Sequence, residues 1–130
     1  MEEPSLKNSI LKSVKKMLGI YPDITEFDDE LTLHINSAIA SLIQIGIGQS
    51  DSGYTISSAT DTWTEFLGDD KRLESVKSYI YMKVRLMFDP PIQSSVIDAF
   101  ERQIKEFEYR NFVVKDNDRI DEETPSSTEV

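Results

Sequence analysis

Residues 69–88 read DDKRLESVKSYIYMKVRLMF. Val76, Ile80, Val84, Met87 and Phe88 recur at the helical period, while Tyr79, Tyr81, Met82 and Leu86 cover most of the remaining circumference. A helix that is apolar nearly all round is a central one, packed by neighbours on several sides. Asp69 and Asp70 place negative charge at its start, and Pro90 and Pro91 stop it. The pattern predicts a helix over 70–88, with Val76, Ile80 and Val84 as core positions.

On both sides of this segment the same period recurs. Leu6, Ile10, Val14, Met17 and Leu18 form a stripe, lysines fill the far side, and Gly19 suits a C-cap, which predicts a helix over 6–18. Asp28, Asp29 and Glu30 open a second helix over 28–46, with Ile35 and Leu42 in its core stripe and Ile39, Ile43 and Ile47 as a second row. After the prolines, Ser94 or Ser95 caps a helix over 94–112 that carries Val96, Ile97, Phe100, Ile104 and Phe107 on one face. Phe100 and Ile104 join the expected core. Trp63, Phe66 and Leu67 form a short helical turn stopped by Gly68.

Residues 48–62 break the rhythm, being rich in Gly, Ser, Asp and Thr. Tyr54, Thr55 and Ile56 have strand-like chemistry after a turn-forming Asp-Ser-Gly, so a short hairpin is one expectation. A connection of this length in a compact domain is usually functional or mobile, and a disordered surface loop is the alternative expectation. Tyr54 and Ile56 are therefore candidate contacts with a neighbouring subunit or a channel lining. Beyond Val114, residues 115–130 hold two basic and six acidic residues with Pro125 and a Ser/Thr cluster. Such a stretch buries too little to offset its ordering entropy and is expected to be a disordered acidic tail that orders on a partner. The fold class is all-α: an antiparallel bundle of four to five helices, a 1–114 domain and a 115–130 tail.

The chemistry available to the chain is narrow. With no cysteine, disulfides, thiolate zinc sites and thiol nucleophiles are excluded. A single histidine, His34, excludes sites needing two imidazoles, and Glu30 one turn away reads as a surface contact. Gly48 to Gly53 has the glycine spacing of a phosphate loop, but Tyr54 stands where lysine is needed. Asp116, Asp118 and Asp121 lack the glycine and glutamate of a calcium loop, and no nucleophile elbow is present. No cofactor, metal or catalytic residue is expected. Neither a signal peptide nor a membrane-spanning run is expected, so the chain reads as made in a cytoplasm. The balance of 14 basic against 24 acidic residues, net −10, argues against a free-standing nucleic-acid binder. The aromatic row Tyr79, Tyr81, Phe88, Phe100, Phe107, Tyr109 and Phe112 reads most simply as core, with an exposed contact surface as the alternative.

The order of these segments, with FDPP at 88–91 and SSVIDAFERQIKE at 94–106, resembles the small head–tail connector (adaptor) proteins of long-tailed bacteriophages. The opening ILKSVKKMLGI at 10–20, followed by an acidic turn and a long helix, is similar to the same family. The resemblance spans about residues 6–113 and implies a non-enzymatic virion component made in the host bacterial cytoplasm. It implies a homo-oligomeric ring beneath the portal protein, matching the portal's twelvefold symmetry, that extends the DNA channel and offers a platform for a stopper or tail-completion protein. Double-stranded DNA would pass without specific binding, portal is the first expected partner of the tail, and no membrane is involved. The competing readings are an acidic DNA mimic or other helical interaction module, and a small enzyme working through carboxylates, for which no convergent set is visible.

The central-helix reading has a direct consequence. Replacing a fully buried isoleucine by alanine removes its packing and leaves a cavity, so Ile80→Ala is expected to cost about 2–5 kcal/mol in denaturant unfolding. A loss well under 1 kcal/mol, as surface substitutions give, would misplace that helix.

Overall fold

A computed structural model describes residues 8–48 and 53–128, with side chains described up to residue 112. Leu6 and residues 49–52 of the long connection lie outside the described residues. Five helices follow one another: α1 (Ile10–Leu18), α2 (Asp28–Gln44), α3 (Trp63–Leu67), α4 (Leu73–Phe88) and α5 (Ser94–Thr128). Among the described residues there is no strand, and one antiparallel bridge joins Ser9 to Thr62.

Each helix end has a local cause. The Ser9 hydroxyl caps α1 by accepting the Lys12 amide. At its far end Gly19 takes φ +80°, the Gly19 amide bonds to the Lys16 carbonyl and the Ile20 amide to the Lys15 carbonyl. This is a Schellman closure. The same pair of bonds recurs at the end of α2, from Gly46 to Ile43 and from Ile47 to Leu42. In α3, Thr62 and Glu65 form a reciprocal capping box.

Helix α4 contacts α1, α2 and α5 and is the centre of the molecule. Its directions relative to two neighbours follow from paired residues. Phe27 meets Phe88, while the Tyr79 phenol lies beside the Ser41 hydroxyl, so α2 runs antiparallel to α4. Arg72 reaches Asn111, Tyr79 packs on Phe107 and Tyr81 on Phe100, so α5 is antiparallel as well. The core takes in Ile35, Leu42, Val76, Ile80 and Val84, all at 0% exposure, together with Ile104; Phe100 is half-buried against them. Ile10, Val14, Trp63 and Phe66 complete it.

Several boundaries differ from the periodic reading. Helix α4 begins at Leu73 because Asp70 turns back to accept the Arg72 amide and both ends of its guanidinium. The backbone of α5 stays helical past 112, to Thr128, and no glycine or proline interrupts it before Pro125. The side chains of the acidic stretch 115–130 lie outside the described residues.

Among the described residues no hairpin forms at Tyr54–Ile56. Asn36 on α2 accepts the Ile56 amide at 2.7 Å and donates to the Ile56 carbonyl at 3.0 Å, supplying the two bonds a partner strand would have made. Asp61 accepts the amides of Ser57 and Ser58 at 2.7 and 3.1 Å. With its peptide groups satisfied by side chains, the connection lies down on the bundle without a ladder.

The connection enters through a close approach. Gly48 has φ +113°, and a Cβ there would stand 2.7 Å from the Phe66 ring. Gly19 also has positive φ but open space around it. Gly19→Ala is expected to cost about 1–2 kcal/mol, the left-handed penalty of an L-residue. Gly48→Ala should cost more, since the clash adds to the strain; equal melting temperatures for the two variants would contradict the packing described.

Candidate interaction surfaces

The residues with unusual chemistry are mostly engaged in holding the chain together. Lys15 was expected on the solvated side of α1, yet it is 4% exposed. Its ammonium donates to the Ile24 carbonyl at 2.6 Å and the Pro22 carbonyl at 3.3 Å, and pairs with Asp28 at 2.9 Å. A buried cation is tolerable only with such complete satisfaction. The lysine thereby fixes the turn between α1 and α2 and the start of α2.

A second network docks α3 against α1. The Ser9 hydroxyl donates to the Ala59 carbonyl at 2.7 Å, and the Ser13 hydroxyl to the Ser9 carbonyl at 2.6 Å. The Trp63 indole donates to the Ser13 hydroxyl at 3.0 Å. Between α4 and α5, the Tyr79 phenol donates to Glu108 at 2.5 Å, and Lys83 stands 3.9 Å from the same carboxylate. Burial and this bond to Glu108 push the Tyr79 phenol well above its ordinary value. Hydrogen bonding to Arg72 holds the Asp70 carboxyl below the ordinary range, and Arg72 reaches on to Asn111 of α5 at 2.9 Å.

Tyr54 and Ile56, the candidate subunit or channel contacts, lie against the chain's own bundle. Ile56 is buried in its own chain's core, held by the Asn36 clamp. Tyr54 stacks on Phe66 with ring centroids 5.3 Å apart, and burial beside the Glu65 and Asp61 carboxylates pushes its phenol up to about 12. Ile56 is turned inward, and Tyr54 is half-buried against the core. His34 lies 3.7 Å from Glu30, and no group of three potential metal ligands occurs among the described residues.

The exposed apolar side chains lie elsewhere. The aromatic row divides: Tyr79, Tyr81, Phe100 and Phe107 pack together, whereas Tyr109 and Phe112 stand 72% and 54% exposed. These two line a groove with Ile45 and Lys105 at the α4 N-terminal end of the bundle. Tyr109 is two residues from Phe107, hence on the other side of α5. At the opposite end Met87 and the fully exposed Ile92 flank the turn between α4 and α5. Nearby, Lys12, Lys16, Ile20, Tyr21 and Pro22 surround a groove of about 410 Å³. The periodic reading missed it because half of its wall comes from the non-periodic turn after Gly19.

The described domain is all-helical and exposes apolar side chains at both ends. The model of the phage connector protein family matches residues 10–118, and the chain belongs to that family of bacteriophage head–tail connectors. No curated protein and no solved structure matches it. Among the described residues no helix is long and apolar enough to cross a membrane.

The Asp70–Arg72 pair carries a pH signature. A carboxyl depressed in the folded state contributes stability above its unfolded pKa, and that contribution is lost as pH falls through the folded value. Asp70→Asn is therefore expected to lower stability at neutral pH and to flatten the loss seen below about pH 4. An unchanged acid limb in urea melts at a series of pH values would contradict the pairing.

Proposed function

We propose that this chain is a structural component of the virion's head–tail junction. Copies of it form a ring under the portal, with the portal's twelvefold symmetry, extend the DNA channel and present a platform for a stopper or tail-completion protein. The observation that carries the reading is family membership over residues 10–118 on an all-helical fold. It acts by assembly and not by catalysis. A ring needs two different patches that meet head to tail and close, and exposed apolar residues at opposite ends of the bundle, Tyr109 with Phe112 and Met87 with Ile92, suit that geometry. A net charge of −10 disfavours adhesion of passing DNA. The chain divides into a 1–114 connector domain and a 115–130 acidic tail that engages a partner on assembly.

The DNA-mimic alternative would need carboxylates ranged along one open face. Asp28, Asp61, Glu65, Asp70 and Glu108 are instead tied to partners within the fold. Native mass spectrometry with the purified portal of the same phage separates the readings. Binding of a ring of copies to portal is expected, and no binding to a basic DNA-binding protein. Capture by the basic protein with none by portal would overturn the proposal.

A further inference from the structure

We infer that Asn111 and Glu108 fix the register of α5 on α4, and with it the position of the exposed Tyr109 and Phe112. The need for such a device comes from a repeat within α5. Ile97-Asp98-Ala99-Phe100 is followed seven residues later by Ile104-Lys105-Glu106-Phe107, so the face laid on the bundle carries the same Ile-x-x-Phe unit twice. The receiving surface is repeated as well, since Phe100 meets Tyr81 and Phe107 meets Tyr79. Seven residues bring an α-helix back to nearly the same face. A slide of one unit, about 10 Å along α4, would therefore set isoleucine in isoleucine's place and phenylalanine in phenylalanine's. Apolar shape alone does not choose between the two registers.

The slide can run in one direction only. The connection from α4 to α5 has five residues, 89–93, and cannot give up seven. It can gain seven by unwinding the first turns of α5, and lengthening a connection costs little. Ile104 would then take the place of Ile97, and Asn111 the buried place of Ile104. Polar groups oppose this. Asn111 continues the apolar spacing 97, 100, 104, 107 with a buried amide. It accepts from the Arg72 guanidinium at 2.9 Å and donates to the Phe107 carbonyl at 2.8 Å. Arg72 is itself held by Asp70 through both ends of its guanidinium. Three residues before Asn111, Glu108 accepts from the phenol of the fully buried Tyr79. The slide would strand that phenol and place the amide among apolar neighbours, each at the cost of an unmade hydrogen bond. A single asparagine at a seam position acts in the same way in coiled coils, giving up stability for register. The slide would also carry Tyr109 and Phe112 about 10 Å away from the end of the bundle where they stand.

The chain has no cysteine, so two introduced thiols carry spin labels without background. Glu74→Cys on α4 and Glu101→Cys on α5 are exposed and stand outside both polar contacts. Pulsed electron–electron resonance on this pair is expected to give one distance. Adding Tyr79→Phe and Asn111→Leu removes both polar contacts at similar size. It should produce a second distance, longer by up to about 10 Å, in roughly one molecule in ten or more. Asn111→Ala in place of the leucine carries the same test at a site too tight for leucine, and thermal melts verify that each variant is folded. Ile104→Val, a purely apolar change at the same seam, should lower the thermal midpoint and keep one distance. A single parent-like distance in both double variants would overturn the inference, as would a second distance in the Ile104→Val chain.

Discussion

Helix α4 presents Val76, Tyr79, Ile80, Met82 and Val84 over too wide an arc for one or two neighbouring helices to cover. The rest of the chain is arranged by the need to keep water from that surface. Helices α1, α2 and α5 each take a share. The long connection and α3 complete the core by burying Ile56, Trp63 and Phe66. Those last residues come at a cost, since a non-helical segment laid on a core carries peptide groups that must find partners. Asn36, Asp61, Ser9 and Asn8 provide them, from α2, from the connection itself and from the residues just before α1.

Lys15 solves a related problem at the other end. The turn after α1 brings the carbonyls of Pro22 and Ile24 inward, and a single ammonium bonds both while pairing with Asp28. Replacing one partner would strand the others, which is why removing half of a buried ion pair costs far more than the pair contributes. The same arrangement shapes the surface. By holding the turn against the bundle, Lys15 forms the floor of the groove whose rim carries Lys12 and Lys16.

The helices were legible because their apolar spacing is strong and their stops are chemical. Gly19 and Gly46 close helices through positive φ, and Pro90 ends α4 by removing a donor. What escaped the sequence depends on contacts between distant residues. Nothing in Lys-Ser-Val-Lys-Lys marks Lys15 rather than Lys12 as the buried one, because its partners arrive from the turn and from α2. Tyr54 and Ile56 look like surplus apolar residues in a polar loop, and only the Asn36 clamp, twenty residues back, shows that Ile56 belongs to the core, with Tyr54 half-buried against it. Asp70 resembles a helix-start acid until Arg72 is seen to enclose it. For the interaction surface, the mixed aromatic row could not be divided between core and solvent without the register of α5 on α4.

A connector must remain a stable domain while leaving apolar side chains open to partners, and this chain separates the two tasks. The core residues of α4 are buried, while Tyr109 and Phe112 at one end and Met87 and Ile92 at the other stand exposed. The account therefore stands on where the protein sits in the particle. A cryo-electron microscopy reconstruction of the phage's head–tail junction tests this most directly. The account predicts a ring of this five-helix domain directly beneath the portal, its subunits joined end to end and enclosing the channel; a junction whose density holds no copy of this fold would contradict it.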